Sequence, residues 1–461
     1  MRSLLNLRRG TRSDSEGGLR WAWMLSAGLA LAVASVTWAG NNGRIAQVGG
    51  VSINTEGVVG QVDIQARKDL RDLRLKEFQP VPSGLNQPVE LRKISLRAIE
   101  QAVTESGKSL ASELPDEIRF LAGIQRIQFV FVYPETGDIV LAGPGEGWKI
   151  DDRGNYVGVT TGRPVLRLED LVVALRTVEN ARRGGITVSI DPTAEGRQQF
   201  DRYMRTQKTF NPAVLPGIEK ALGTQEITIA GIPATSHFAS VLVASDVRMK
   251  RIAMKLEASP VKGLPSFLDM LQKGGKLSNM MPRWWLACNY EPLAKSEDGL
   301  AWELRGTGVK VMTEDEVIGA DGSVTGTGKV DPLAQEFSDL MTKKYDELSA
   351  QEPIFGELRN LMDVSVIAAL ISKESLLEKS GLELPTLLGQ NDKLRLFEGH
   401  APKSVATQCS FVKRSREFLI TASGGVEISS WQVASKSVTD QAVKQVREQA
   451  AAKTSGSMWW N

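Results

Sequence analysis

The pattern of apolar and polar positions divides the chain into segments of distinct character. Residues 46–65 alternate short apolar runs with glycine turns and read as strands. A charged helix follows with Ala66, Leu70 and Leu73 on one face, and Pro80, Pro82 and Pro88 mark a linker. Leu96, Ile99 and Val103 recur at helical spacing. Two apolar runs then flank Pro134-Glu-Thr-Gly137, the pattern of a hairpin. Leu168, Leu171, Val172, Leu175 and Val178 give the clearest helical face of this half. ITVSI reads as a strand whose Asp191-Pro192 end caps the next helix, with Phe200, Tyr203 and Met204 on it. EITIA and FASVLVA read as further strands, and Asp246 as the cap of a short helix, VRMKRIAMKL.

Beyond Pro282 the pattern turns to strands: RWWLACNYEPL, GLAWELRG and GVKVM, joined at Ser296-Glu-Asp-Gly299 and Gly306-Thr-Gly308. Asp331-Pro332 opens two helices, the second of which, 353–371, is apolar almost throughout and reads as buried. Strands return after 400, and a polar, alanine-rich tail from Ser435 closes on Met458-Trp459-Trp460-Asn461. The expectation is an α/β or α+β protein of mixed sheets with packed helices, in two to three subdomains. The segments are 40–90 (strands, helix and linker), 91–275 (α/β), 276–332 (β-rich), 333–385 (helical), 386–434 (β) and 435–461 (tail).

Residues 1–39 stand apart. An arginine-bearing stretch (Arg2, Arg8, Arg9, Arg12, Arg20) precedes an uncharged run from Trp21 to Ala39 that ends in small residues. This is the pattern of a signal peptide cleaved before Gly40. The run is also long enough to remain as a membrane anchor. Both readings place the rest of the chain outside the cytoplasm, in the periplasm or envelope, with membrane contact only through residues 21–39 if they are retained.

Composition narrows the function by exclusion. Lys and Arg number 56 against 54 Asp and Glu, and five of those arginines lie in the leader. The remainder is close to neutral, unlike a dedicated nucleic-acid binder. Two cysteines and two histidines lie scattered without ligand spacing, so neither a metal nor a cofactor is expected. Gly143-Pro-Gly145-Glu-Gly147 lacks the spacing and the following helix of a dinucleotide loop. Gly326-Thr-Gly328-Lys329 lacks the first glycine and the hydroxyl residue of a phosphate loop. His237 and His400 stand in no nucleophile-elbow pattern and read as structural or surface residues.

Three groups remain as candidates. Asp246, Arg248, Lys250 and Arg251 gather where a strand is expected to hand over to a helix, a place where backbone N–H groups and cations hold an anion. Trp284, Trp285 and Tyr290 offer aromatic faces for stacking a sugar or peptide, although alternation along a strand turns the two tryptophans to opposite sides. Cys288 and Cys409 form a disulfide if the chain meets an oxidising compartment, and are otherwise buried thiols.

The segments SVLVASDVRMKRIAMKLE, VKGLPSFLDML, MPRWWLACNYEPL, DGLAWELRGTGVKVMTEDE and PLAQEFSDLMTKKYDELSAQEPIFGELRNLMDVSVIAALI resemble a family of uncharacterised exported proteins of planctomycete-type bacteria, a domain of unknown function. The resemblance covers roughly 90–430 and implies export and a shared fold. It brings no reaction, ligand or catalytic residue, and Val247 stands where that family's pattern has an aromatic. The expected function is non-catalytic binding or structural work on an unknown envelope component or anionic ligand. The alternatives are a hydrolase of envelope polymers using paired carboxylates and a membrane-tethered scaffold.

Overall fold

The helix Pro353–Lys373 is apolar on nearly every face, and the structure buries it from Pro353 to Ile371. A helix without a solvated face must be covered all round. Its covers are the helices Leu168–Arg176, His237–Ala253, Tyr345–Gln351 and Ser430–Ala434, with the strand Gly308–Ile318 alongside. In this computed structural model the described residues are 46–461, apart from 63, 209–210, 275–281, 319–323, 414–416, 421–422 and 452–456. The leader expected at 1–39 lies outside them. Among the described residues no helix is long and apolar enough to cross a membrane.

Among the described residues the two larger sheets are both mixed. One has ten strands, with Thr224–Ala230, Ile186–Pro192, Ser423–Ile428, Pro282–Asn289 and Gly308–Ile318 as successive central neighbours. Most pairs are antiparallel, but Pro282–Asn289 runs parallel to Ser423–Ile428, and Ser404–Ala406 parallel to Val58–Gln61. The other has seven strands and is built around the hairpin Phe129–Tyr133 and Asp138–Gly145, which turns at Pro134–Gly137 as its sequence requires. The fold is therefore α+β. Along Ile186–Pro192 every second residue is buried, the signature of a strand with one face in the core.

Several sequence expectations are corrected. FASVLVA is not a strand: it belongs to the helix His237–Ala253, capped by the Ser236 hydroxyl accepting from the Ala239 amide. A short apolar run carries no period that separates a buried strand from a buried helix, and this helix is buried on both flanks. Asp246 thus lies mid-helix and caps nothing. Asp191-Pro192 continues its strand, and Thr193 caps the helix Ala194–Thr206 instead. Asp331 does cap its helix, accepting from the amides of Leu333 and Ala334. The ten-stranded sheet draws strands from both sides of residues 275, 332 and 385. The tail is not merely polar: it folds into the helix Gln441–Ala450 and the strand Trp459–Trp460.

Gly424 and Gly425 explain how Ser423–Ile428 fits between its neighbours. A Cβ on Gly425 would lie 1.7 Å from the Val188 carbonyl oxygen, and one on Gly424 1.6 Å from that of Trp284. Gly425→Ala is therefore expected to lose about 3 kcal/mol or more of stability, at the severe end for a point change. Gly184→Ala, with nothing near its added carbon, should stay within about 1 kcal/mol of the parent. Urea midpoints of the two variants test this. Equal midpoints would refute the account of the pinched strand.

Candidate functional site

The cations expected to hold an anion occupy the last turns of the helix His237–Ala253, not its start. Positive charge there complements the helix dipole, so the anion-attracting N-terminus inferred from the sequence does not exist at these residues. Lys250 lies one turn beyond Asp246, and their charged atoms meet at 2.7 Å with both side chains buried. Burial raises the Asp246 pKa, and Lys250 offsets part of that rise. The pair borders a cavity of about 30 Å³ shared with Gln225, Arg251 and Gln408.

Arg248 points to another side of the helix. It donates to the Gly49 carbonyl at 3.0 Å and to Glu352 at 2.8 Å, and it also bonds Glu257. Arg251 reaches Glu257 at 3.3 Å and Gln408 at 2.9 Å. Each of the four charges is thus met from inside the protein.

The aromatic group disperses. Trp284 is fully buried, edge-on to Phe267 and Phe337 with ring centres 5.0 and 5.5 Å away. Trp285 faces the other way, half-buried, with the Arg283 guanidinium 5.6 Å from its ring centre. The Tyr290 hydroxyl donates to Asp363 at 2.7 Å, and Arg126 clamps the same carboxylate at 3.1 and 3.2 Å. Burial and that carboxylate push the Tyr290 hydroxyl pKa well up. No stacking platform forms from the three. Cys288 and Cys409 are both free thiols. Cys409 packs in a satellite cluster with Val214, Ile218 and Leu222, whereas Cys288 packs on the main core, its thiol pKa raised by burial to about 12.

The structure assembles a different constellation, around His237. This is the first residue of its helix, and its Nδ1 lies 3.0 and 3.1 Å from the two carboxylate oxygens of Asp170, on the helix Leu168–Arg176. Nε2 takes no hydrogen bond among the described residues. Arg167 lies next to the pair, 3.1 Å from Glu169 and 3.8 Å from Glu357. Arg74 and Arg167 both stand over the ring of Tyr156, at 5.5 and 5.3 Å from its centre. Asp170, Glu357, Arg167 and Asn360 line a cavity of about 10 Å³. The Asn360 Oδ1 is buried without a partner, while its amide donates to the Pro164 carbonyl at 3.3 Å. That volume suits one water molecule, and the polar lining offers it several partners.

Burial drives both members of the dyad toward their neutral forms. It pushes Asp170 up to about 7, with Arg167 opposing, and His237 down to about 4, with Arg167 adding to the fall. A neutral carboxylic acid hydrogen-bonded to Nδ1 of a neutral imidazole can relay a proton toward Nε2. Sequence reading assigned His237 no such role, because its partner lies 67 positions away. The available signal was weak: Asp170 is one of two adjacent acids in the first turn of a helix that is otherwise apolar up to Arg176.

Residues 188–267 match a family described as protein of unknown function (DUF1598). No curated protein and no solved structure matches the chain. The matched stretch holds His237, Asp246 and Lys250 but not Asp170 or Glu357. Among the described residues, no group of three or more His, Cys, Asp or Glu is arranged to hold a metal ion.

Two predictions follow the geometry of these pairs. Lys250→Ala leaves Asp246 buried without its counter-ion and should cost about 3–5 kcal/mol, whereas Asp246→Leu with Lys250→Met should cost much less. Denaturant midpoints decide this; a double variant as damaged as the single one would contradict it.

The dyad makes a pH prediction. Between about pH 4 and 6.5 the unfolded chain carries one proton on His237 and none on Asp170, and the folded pair carries one on Asp170 instead. The proton count is equal, so the pair adds almost no pH dependence in the wild type. In His237→Gln the raised Asp170 acts alone, and its stabilisation, complete below about pH 4, is lost as pH rises to about 7. In Asp170→Asn the lowered His237 acts alone, and stability falls as pH drops from 6.5 toward 4. Relative to wild type, slopes of opposite sign approaching ~1.4 kcal/mol per pH unit are expected from urea titrations at a series of pH values.

Proposed function

We propose that this is an exported protein of the periplasm or cell envelope whose role is binding or structural and not catalytic. The reading of export rests on the arginine-bearing leader and the uncharged run Trp21–Ala39. The observation that carries the non-catalytic reading is the use of the charges. Arg248, Lys250 and Arg251, the residues best suited by sequence to hold an anion, are neutralised by Asp246 on the same helix, by Glu257 shortly after it, and by the distant Glu352. Charges spent in this way fix segments to one another and build a rigid body. Its unit of recognition is then a surface and not a reactive pocket, and an envelope component is the partner. If residues 21–39 are retained, the same body is a membrane-tethered scaffold.

One observation favours a second reading, the hydrolase of envelope polymers. Asp170 and Glu357 border one cavity, and Asp170 is the raised acid that general-acid chemistry needs. Against it stands the volume of about 10 Å³, which admits water but no sugar ring.

Both readings meet in one experiment. Protein isolated from its native host is sequenced from its N-terminus and then mixed with insoluble envelope material. A mature start near Gly40, co-sedimentation, and no release of soluble fragments are expected, with Asp170→Asn behaving as the parent. Fragment release that Asp170→Asn abolishes would establish the hydrolase. An intact leader in the membrane fraction would establish the tether.

A further inference from the structure

On a helix, side chains four positions apart stand one above the other. Asp246 and Lys250 are placed in this way on the helix His237–Ala253, and Nζ lies 2.7 Å from a carboxylate oxygen with both side chains buried. Four other lysine–carboxylate contacts among the described residues are similarly short: Lys255–Asp269, Lys295–Glu374, Lys344–Glu347 and Lys373–Glu374. Each of those is a directed hydrogen bond, and its lysine stands partly in solvent. The buried pair differs. Neither oxygen of Asp246 nor Nζ of Lys250 makes a directed hydrogen bond. Two charges are therefore in contact and out of water, without the hydrogen bonds that usually offset such burial.

The surroundings favour loss of those charges. Ile190, Met254, Leu256 and Val405 border the adjoining cavity, together with Gln225 and Gln408. Its volume of about 30 Å³ exceeds the space that one water molecule needs. Burial raises the Asp246 pKa, Lys250 opposes the rise, Asp191 adds to it and Arg283 opposes it. A buried acid and amine lose both charges when one proton crosses their contact. A neutral amine then faces a neutral carboxylic acid, a nucleophile beside an electrophile.

We propose that Asp246 and Lys250 condense to an amide, an isopeptide bond within the helix that forms without any other reactant. Nζ gives one proton to the carboxylate and attacks Cγ. The Nζ–Cγ bond forms, the Cγ–OH bond breaks, and the hydroxyl takes a second proton from the nitrogen and leaves as water. Nothing is oxidised or reduced, and the cavity has room for the water released. The flexible lysine stem supplies the movement that brings Nζ to amide bond length, about 1.3 Å, from Cγ. Two buried ions become one neutral group, which removes the cost of holding charge in the core. The clasp spans the last turns of the helix, inside the stretch 188–267 that matches the family described above. It stands independently of the reading of export and of the dyad.

The test is a peptide map of the full-length protein, purified folded, then denatured and cut with trypsin. Residues 221–248 contain no lysine or arginine before Arg248, and Met249-Lys250-Arg251 follows. With the bond in place the two pieces are expected joined, lighter than their sum by one water, about 18 Da. Fragment spectra should place the link between Asp246 and Lys250. The chain carrying Asp246→Leu with Lys250→Met should yield residues 221–248 unbranched and at full mass. The map of the unsubstituted protein decides the matter even if that variant does not fold. Residues 221–248 recovered only as a free peptide, from protein shown to be folded by circular dichroism, overturn the proposal. A loss of water located elsewhere, as by cyclisation at Asp298-Gly299, leaves that peptide free and counts as the same refutation.

Discussion

The structure depends on one constraint: a helix buried along almost its whole length that is not wholly apolar. Pro353–Lys373 carries Glu357, Arg359, Asn360 and Asp363 into the interior. An ion removed from water without a partner costs several kcal/mol, so each must be met from outside the helix. Arg167 comes near Glu357, Asp346 meets Arg359 at 2.7 Å, Pro164 offers its carbonyl to Asn360, and Arg126 with Tyr290 holds Asp363. These partners come from segments far apart in sequence. The helix therefore acts as a template that fixes where loops and sheet ends must lie.

Glu352, just before that helix, extends the same logic outward. It binds Arg153 at 2.7 Å and Arg248 at 2.8 Å, and Arg248 continues through Glu257 to Arg251. Alternating charges thus join the turn at 151–154, the helix His237–Ala253 and the loop at 257. Buried ion pairs contribute less to net stability than to the exclusion of other arrangements, since breaking one is costly and replacing both partners is often neutral. The charges that resemble a ligand site in one dimension are the joints of the body in three. The Asp170–His237 dyad differs from them, because one ring nitrogen is left over and a water-sized cavity adjoins Asp170.

The hydrophobic pattern by itself determined the elements with a clear period or a clear turn. The hairpin at Pro134–Gly137, the helix beginning at Leu168, the cap at Asp331, the buried helix at 353–371 and the opposite orientations of Trp284 and Trp285 all follow from local rules. That helices and strands mix, as α/β or α+β, follows from their order; the sheet pairings decide for α+β. Tertiary structure decided the rest. FASVLVA is a helix because burial on both flanks removed the amphipathic signal, and with that change the Asp246–Arg251 cluster moved from a helix start to a helix end. Trp459 and Trp460 gained a strand only because an unpaired sheet edge and a buried Arg92 were waiting for them. Asp170 met His237 because two helices cross at the core. Local sequence sets backbone period and caps, which are interactions within a few residues. The pairing of charges and the completion of sheet edges are contacts between distant residues, and only the folded chain brings those together.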